Sequence, residues 1–492
     1  MTMLLVAASV AFLYLLYILI STIRVLYYHP LSCIPGPSLW IVFPLIRHYS
    51  AIRGRHDIDL RALHKKYGEV VRFGPNEVSF ITAQAWRDIY GHGHKQLPKY
   101  LSSVQSRHEI ISGNDIDHSR YRKSISHAFS AKALQEQQPL IKGYVDKLIT
   151  KLKDKAKSQT PLDMVMWYNI TTFDLIGDLA FGQSFGGLEN SGYHFWVSTI
   201  FESIHILSYI DIKDTYPMVF ELIKPFIPAN LVGARKRQDD YSKEVVQKRL
   251  TSPKKFGAID FMDAMLRNRG EKEGLSDEEL AENASVLVVA GSETTATLLS
   301  GVTFLLLKNP VVMEKLKNEV LSVIQSEEDI TFANVTANLP YLLACLEEAL
   351  RWYPPVPTGS QRITNTPTTI ISGFEIPQNT RVAVHQSSAY RSSINFHKPE
   401  CFIPERWLPE AKNDPKSPFF NDNRDVFQPF SAGPRNCIGK NLAYNEMRII
   451  LTRVIWNFDL ELCPESHAWA DQKSYFLWDK HKLMCKLSLR EH

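Results

Sequence analysis

The amino-acid sequence predicts a mainly α-helical protein with a minor β portion, preceded by one N-terminal transmembrane helix. Three observations carry this prediction. An uncharged apolar run occupies residues 3–23, a long helix pattern with clear start and stop signals occupies residues 277–308, and strand-like runs are short and lie near 69–82, 369–385 and the C-terminus. The chain has 492 residues, 45% of them hydrophobic, so it can bury a large core.

The N-terminal apolar run is long enough to cross a bilayer. From Met3 to Ile23 it has no charged residue, and as a helix it would span roughly 32 Å, against about 30 Å of hydrocarbon. A cleaved signal peptide is the alternative, but it would need a basic start and a shorter apolar stretch. The first cation, Arg24, follows the run, so the positive-inside rule leaves the rest of the chain in the cytosol. The predicted segments are a membrane anchor at 1–29, a proline-rich hinge at 30–37 and a main domain at 38–492.

Composition and charge exclude several classes of function. The 56 basic residues nearly balance the 52 acidic ones, the net charge is +4, and no long basic run occurs, so nucleic acid is not an expected partner. The six cysteines are widely scattered without a CxxC pair, which argues against a disulfide framework and against a structural zinc site. Unpaired thiols are typical of a reducing compartment, in agreement with a cytosol-facing domain.

The segment from Asp277 to Lys308 is predicted to form one long helix. Ser276 is a suitable N-cap, Glu279 three positions later completes a capping box, and Pro310 stops the helix. The second half is apolar nearly all round, so this helix must cross the interior of the protein.

Three residues in the middle of this helix are unusual for a buried position. Gly291 costs about 1 kcal/mol relative to alanine; either it is simply tolerated, or a side chain there would block a flat ligand or O₂. Thr294 can donate a hydrogen bond to the carbonyl of Ala290 and so loosen or bend the helix. Glu293 is a carboxylate in an apolar stretch, and a buried carboxylate needs a partner or a chemical role.

Cys437 lies in a loop of turn-forming and small residues, and three interpretations of it are open. It is a small buried hydrophobe, a nucleophile without an obvious base, or a metal ligand. Gly433 and Gly439 favour a tight loop close to something flat, and the helix that starts after Gly439 presents free N–H groups that stabilise a thiolate. Arg435 can meet an anion and Phe430 can shield one side of the sulfur. A thiolate next to a planar, anion-bearing partner suggests haem.

Four motifs resemble those of the cytochrome P-450 family, and they occur in the family's order. The stretch FSAGPRNCIG at 430–439 is similar to the complete haem-binding signature. The other three are AGSETT at 290–295, similar to the oxygen-activation motif, EALR at 348–351, similar to the ExxR motif, and PERW at 404–407, which supplies a further arginine. The resemblance covers essentially the whole chain, and it implies the cytochrome P-450 fold.

The resemblance also implies a cofactor and its contacts. Haem b would be bound with Cys437 as the proximal thiolate ligand, which favours O–O cleavage. Glu293 would relay protons and Thr294 would support oxygen activation. The residues expected to contact the haem are His118, Arg122, Gly291, Arg362, Phe430, Gly433, Arg435, Cys437 and Gly439. His118 stands where the family often has tryptophan, and for Arg122 and Arg362 an exposed cation is the alternative to a propionate partner.

Glu348 and Arg351 lie three positions apart, so they share one helix face. An exposed ion pair is one interpretation; with Arg406, the resemblance implies a buried cluster that supports the haem loop and takes no part in the chemistry.

Partners and location follow from the same resemblance. The chain ends soon after Cys437, too soon for a flavin domain, so electrons derived from NADPH would come from a separate NADPH–cytochrome reductase. The expected location is the endoplasmic reticulum membrane, with a single span, a cytosolic catalytic domain and a monomeric state. Two interpretations are open for Arg120, Lys123, Lys440 and Arg448. They form a basic face on which the reductase docks, or they are simply solvated surface residues.

The predicted reaction is hydroxylation of an apolar secondary metabolite, either a polyketide or a terpenoid. The segment 117–134 resembles filamentous-fungal hydroxylases of secondary metabolism, including trichothecene and averantin hydroxylases. Pocket elements are expected at 98–117, 195–232, 355–361 and 475–480, with ordinary core packing as the alternative for each side chain. A haem-thiolate isomerase or dehydratase that needs no O₂ and a non-enzymatic haem sensor are the competing functions. Both are disfavoured because Glu293 and Thr294 are present.

Overall fold

Helices dominate the chain, in agreement with the predicted fold class. The computed structural model describes residues 2–103, 105–228, 233–251, 260–267, 269–271 and 273–491. The α-helices of these residues are α1 (Thr2–Ile23), α2 (Ser38–Val42), α3 (Leu45–Ile52), α4 (His56–Tyr67), α5 (Ala83–Tyr90), α6 (Asp115–Ser126), α7 (Ala131–Ala156), α8 (Met164–Phe181), α9 (Gly187–Asn190), α10 (Phe195–Thr215), α11 (Pro217–Ile223), α12 (Ala234–Thr251), α13 (Phe261–Leu266), α14 (Asp277–Lys308), α15 (Pro310–Val323), α16 (Phe332–Asn338), α17 (Pro340–Trp352), α18 (Gln386–Tyr390), α19 (Pro409–Asn413) and α20 (Lys440–Asn457).

The strands are short and form small sheets at the edge of the helical body. They are β1 (Val70–Gly74), β2 (Glu77–Phe80), β3 (Leu162–Asp163), β4 (Arg362–Ile363), β5 (Thr368–Ile371), β6 (Phe374–Pro377), β7 (Arg381–Val384), β8 (Phe458–Leu462), β9 (Lys473–Ser474), β10 (Trp478–Asp479) and β11 (Met484–Leu489). One sheet has the order β1-β2-β7-β4, and a second has the order β3-β11-β8. Strands β5 with β6 and β9 with β10 form antiparallel pairs. The predicted strand regions are therefore confirmed.

The long central helix α14 has the predicted bounds. The Ser276 hydroxyl accepts a hydrogen bond from the backbone N–H of Glu279, whose side chain accepts one from the N–H of Ser276, so the capping box is complete. The helix ends at Lys308, just before the Asn309 cap and Pro310. It packs along α8, α12, α17 and α20. Every residue from Thr295 to Leu306 is buried, as the apolar sequence of this half requires.

Among the described residues, two helices are apolar and long enough to cross a membrane, and of these two the N-terminal one is exposed. The segment Leu5–Tyr28 has a mean hydropathy of 2.2 and no buried residues, whereas Asp277–Lys308 is mostly buried and belongs to the core. The helix α1 continues into a π-helical turn at Arg24–Tyr28. The predicted hinge at 30–37 is held against the sheet, because Leu31 and Ile34 are buried in the same hydrophobic cluster as the strand residues of β2.

The predicted cluster around Glu348 is confirmed and completely buried. Arg351 donates to both carboxylate oxygens of Glu348 at 2.8 Å, and Arg406 lies 3.1 Å from the same carboxylate. Arg406 also pairs with Asp422 at 2.6 Å. The indole N–H of Trp407 donates to Glu348 at 2.9 Å. This network joins α17 to the segment that leads into the Cys437 loop.

Candidate active site

The Cys437 loop leaves its cysteine side chain exposed in this structure. Cys437 follows a short 3₁₀ turn at Gly433–Arg435, and its backbone N–H donates to the carbonyl of Phe430 at 2.8 Å. The residue is exposed although protein surrounds it closely, and burial raises the pKa of its thiol. The backbone N–H of Gly439 and the charge of Arg122 oppose this rise in pKa. A stable thiolate here therefore needs more positive charge, which a bound metal ion supplies.

The structure gives different reasons for glycine at the two positions of the loop. Gly433 has a φ of +74°, and a Cβ atom there would lie 1.6 Å from the carbonyl oxygen of Tyr90. This glycine is required by the close packing of the loop on α5, which sequence reasoning did not anticipate. A Cβ atom on Gly439 would meet its nearest atoms, in Phe129 and the sulfur of Cys437, at 3.6 and 3.9 Å. Gly439 therefore leaves room beside the sulfur, as a flat ligand would require.

The middle of α14 has one open face. Ala290 is exposed and Gly291 and Thr294 are partly exposed, whereas the residues around them are buried. The hydroxyl of Thr294 donates to the carbonyl of Ala290 at 2.7 Å, as predicted, and the next residue makes the same kind of bond, from Thr295 to Gly291 at 3.0 Å. A Cβ atom on Gly291 would contact Ile176 of α8 at 3.3 Å, so close helix packing accounts for this glycine. Its role beside the haem stays a prediction.

Glu293 does not share the environment of Thr294. Adjacent residues on a helix point about 100° apart, and Glu293 is completely buried. Its carboxylate lies 2.5 Å from the ammonium nitrogen of Lys480 and accepts a hydrogen bond from Thr297 at 3.2 Å. Lys480 lies in the predicted pocket segment 475–480, but sequence reasoning missed its pairing with Glu293, because no local signal links two residues so far apart in the chain.

Four basic side chains converge from distant parts of the sequence. Arg362 is buried, and its pKa is lowered by burial to about 10. Burial also lowers the pKa of Lys99 to about 7, and Arg362 and Arg435 add to this effect. His118 is buried with a pKa lowered to about 4, by burial first and then by Arg435 and Lys99. His118 is therefore an uncharged donor near pH 7, whereas the charges of Arg362 and Arg435 beside Lys99 are unfavourable here without anions.

The hydrogen bonds of these groups are incomplete. Arg362 donates to the carbonyl of Leu97 at 3.3 Å, but its buried Nε has no partner among the described residues. Arg435 bonds to Asp115 at 2.8 Å, while its buried Nη1 is likewise unpartnered within the described chain. Two carboxylates of a haem would satisfy these donors and this charge. The residues present therefore fit haem propionates, and Lys99, which sequence reasoning did not single out, belongs with the predicted Arg362, Arg435 and His118.

Arg122 forms hydrogen bonds with the Cys437 loop itself. Its guanidinium donates to the backbone carbonyl of Asn436 at 2.7 Å and to the Asn436 side chain at 2.6 Å. In this structure it braces the residue next to Cys437. Phe430 lies close by, with its ring 5.1 Å from that of Tyr444.

Comparison with known proteins identifies the family of this chain. The family model described as cytochrome P-450 matches residues 34–487. The chain belongs to the cytochrome P-450 family. It is 54% identical over 463 residues to the trichothecene C-4 hydroxylase of Trichoderma arundinaceum, covering 94% of this chain and 93% of that protein. It is also 54% identical over 477 residues to the cytochrome P-450 monooxygenase olcB of Penicillium canescens, covering 97% of both. The averantin hydroxylase of Dothistroma septosporum is 40% identical over 487 residues, which cover 97% of this chain and 90% of that protein.

Membership of the cytochrome P-450 family makes the protein a haem-dependent monooxygenase by class. The described structure adds the basic cluster around Arg362 to the residues that the motifs single out. Among the described residues, no group of three or more His, Cys, Asp or Glu side chains could hold a metal ion.

The four cations considered for a docking face differ in their surroundings. Arg120 forms ion pairs with Glu279 and Asp117 and is largely covered, so its charge is engaged at the start of α14. Lys123 is exposed and pairs with Glu273 at 2.8 Å. Lys440 is exposed and lies over the ring of Phe430 at 5.8 Å, and Arg448 lies over Tyr444 at 5.2 Å. A cleft of about 700 Å³ opens beside the Cys437 loop and includes Lys412, Arg424 and Lys440.

The predicted pocket segments have mixed outcomes. Trp196 is completely buried, stacks on Phe185 at 5.1 Å and donates to the carbonyl of Gln238 at 3.1 Å, so it is a core residue. Ile204 and Leu477 line a cavity of about 260 Å³. Residues 229–232 and the side chain of Phe201 lie outside the described part of the structure.

Proposed function

We propose that this protein is a membrane-anchored haem-thiolate monooxygenase that hydroxylates an apolar secondary metabolite with electrons derived from NADPH. The observation that carries the proposal is the pairing of an accessible sulfur at Cys437 with buried, incompletely bonded donors at Arg362 and Arg435. A planar ligand with an electrophilic metal centre and two carboxylates needs this combination.

Different residues would bind different parts of the haem. Cys437 would bind the haem iron, Arg362, Arg435, Lys99 and His118 would bind the propionates, and Arg122 would keep the loop in place through Asn436. Haem bound in this way supplies the activation of O₂. Thr294 bonds back to Ala290, which loosens the helix, and its hydroxyl borders the open face of α14. From there it can accept and pass on a proton.

The substrate is proposed from the relatives. A relative named for hydroxylation of trichothecenes is 54% identical to this chain, and one named for hydroxylation of averantin is 40% identical. The difference favours a polycyclic compound of the trichothecene kind, a terpenoid, over a polyketide. A retained hydrocarbon-facing anchor would keep the enzyme at a membrane where apolar compounds concentrate.

The electron donor is proposed to be a separate NADPH–cytochrome reductase of the endoplasmic reticulum. The cleft beside the Cys437 loop contains Lys412, Arg424 and Lys440, which suit an acidic flavoprotein surface. The exposed apolar helix at Leu5–Tyr28 is compatible with a single-span anchor, with the domain in the cytosol where such a reductase acts.

The ligand experiment tests the cofactor first. The reduced protein with carbon monoxide should show the strongly red-shifted Soret band of thiolate ligation. Cys437→Ala should abolish this band, and the control Cys401→Ala, a change at another exposed cysteine, should leave it intact. A band of the histidine-ligated type from freshly folded protein would contradict the proposal.

The activity experiment tests the reaction. Reductase-bearing yeast that expresses the protein is fed trichothecene and polyketide precursors, and the products are analysed by mass spectrometry under ¹⁸O₂. We expect a product that is heavier by one labelled oxygen atom. A product that forms without reductase and without the label would indicate an isomerase or dehydratase instead. Haem that binds with no NADPH-dependent product from any compound would indicate a sensor.

A further inference from the structure

The ion pair between Glu293 and Lys480 is the feature of the site that the mechanism above does not use. Both side chains are almost completely covered, with exposed fractions of 1% and 3%. Lys480 follows β10 in the C-terminal region and reaches Glu293 at 2.5 Å and the hydroxyl of Thr297 at 2.7 Å. It also lies 3.4 Å from the side-chain oxygen of Asn169. The ammonium group is therefore held by three oxygens of α14 and α8.

This pair restrains the residue that was predicted to relay protons. A carboxylate bound to Lys480 cannot at the same time serve Thr294, which points about 100° away around the helix. Separating two opposite charges in a buried site is strongly unfavourable, because each charge is then left without compensation. Glu293 can leave Lys480 at low cost only after the pair has lost its charges.

We propose that Lys480 is the internal proton donor to Glu293 and that this transfer releases Glu293 toward Thr294. The Nζ–H bond of Lys480 breaks and its electron pair stays on nitrogen, while a new O–H bond forms at Oε1 of Glu293. An ammonium and a carboxylate become a neutral amine and a neutral carboxylic acid, so charge and atoms balance. The neutral acid can then turn and donate its proton through the Thr294 hydroxyl. Lys480 is a positioning residue in this scheme, since it acts through Glu293.

The surroundings of Lys480 favour such a transfer. Burial lowers the pKa of Lys480, and the nearby carboxylates of Glu293 and Asp163 oppose this shift. The phenol groups of Tyr193 and Tyr353 are the other titratable groups that face Glu293. In a site of this kind the neutral pair lies closer in free energy to the charged pair than it would in water.

A cavity beside Lys480 provides the route for a replacement proton. Its volume of about 260 Å³ is enough for several water molecules. Besides Lys480, the residues with polar groups in its wall include Asp163, Asn169, Tyr193, His205, Tyr475, Asp479 and Lys482. His205 and Asp479 lie 3.7 Å apart and can exchange protons with solvent. The cavity thus connects a pair of titratable side chains at its wall with the buried amine.

The inference rests on the proposed monooxygenase function, and the variant Lys480→Arg tests it. Arginine keeps the positive charge but cannot give up a proton in a protein. We expect the product formed per NADPH to fall by at least about tenfold, with hydrogen peroxide accounting for the lost electrons. The matched control is Lys473→Arg, an exposed position on β9, which should form as much product per NADPH as the wild type. If Lys480→Arg also forms as much product per NADPH as the wild type, Lys480 is only structural and the inference is wrong.

A second background tests whether Lys480 acts through Glu293. In Glu293→Gln the proton relay is already broken, so adding Lys480→Arg should not lower the product formed per NADPH any further. An additional loss in the double variant would overturn the inference. A wild-type protein that makes no NADPH-dependent product would overturn the proposed function itself, whereas normal wild-type turnover with normal Lys480→Arg turnover overturns only the role of Lys480.

A stability measurement checks the pair without turnover. The melting temperature of the ferric protein should fall in Glu293→Gln and in Lys480→Met, because each leaves one buried charge. The double variant should recover most of this loss. Additive losses would show that the two groups do not interact, and the inference would fail for that reason even if the Lys480→Arg protein were too unstable for assay.

Discussion

Replacing Glu348 by glutamine should destabilise the protein far more than a comparable change nearby. Glu348 is the buried acceptor for Arg351, Arg406 and Trp407, at distances between 2.8 and 3.1 Å. Its carboxylate also accepts the backbone N–H of Ile403 at 2.9 Å. Glutamine has nearly the same shape, but it removes the negative charge and turns one acceptor into a donor.

The expected cost follows from which cation loses its partner. Arg406 keeps Asp422 at 2.6 Å, whereas Arg351 keeps only backbone carbonyls, those of Tyr390, Pro399 and Cys401. Breaking a buried ion pair by removing one member costs about 3–5 kcal/mol. Since one of the two arginines remains paired, we expect the lower end, about 3 kcal/mol of unfolding free energy.

Urea unfolding followed by circular dichroism measures this loss, and the carbon monoxide spectrum shows whether the Cys437 loop still holds haem. The matched control is Glu405→Gln, which affects the partly exposed pair with Lys315 at 2.6 Å. That pair should contribute about 1 kcal/mol or less. If Glu348→Gln costs no more than Glu405→Gln, the buried network is not what stabilises this region and the reasoning fails.

Three further predictions concern chemistry, pH and topology. Thr294→Ala should retain the substrate-induced spectral shift but release hydrogen peroxide in place of product; unchanged product per NADPH would exclude the role of Thr294. Burial lowers the pKa of His64 from 6.5 to about 4. The contribution of neutral His64 to the free energy of unfolding is therefore complete above pH 6.5. It is lost as the pH falls toward 4, and the loss is at most about 3 kcal/mol. His64→Gln should flatten that acid-side loss in urea unfolding; an unchanged pH profile would contradict it. The full-length protein should sediment with microsomes and show no mobility shift on glycosidase treatment, although Asn169, Asn283 and Asn334 lie in sequons, and deletion of residues 1–29 should release much of it; a shift would overturn the cytosolic topology.

The sequence by itself determined the features that depend on neighbouring residues. The capping box at Ser276 and the stop at Pro310 set the bounds of α14, because caps and prolines act within one helical turn. The Glu348–Arg351 pair was predictable because residues three apart share a helix face. The back bond of Thr294 to Ala290 was predictable for the same reason, and so was the apolar N-terminal helix.

The tertiary structure decided everything that joins distant parts of the chain. Lys99 meets Arg362 and Arg435 only because a loop, a strand and the Cys437 turn are packed together, and Lys480 meets Glu293 only because the C-terminal region packs on α14. Tertiary packing also places Arg120 next to Glu279, so that it forms ion pairs with Glu279 and Asp117. A single sequence contains no local signal for such contacts, since the partner of a buried charge is selected by which elements meet and how much water they exclude.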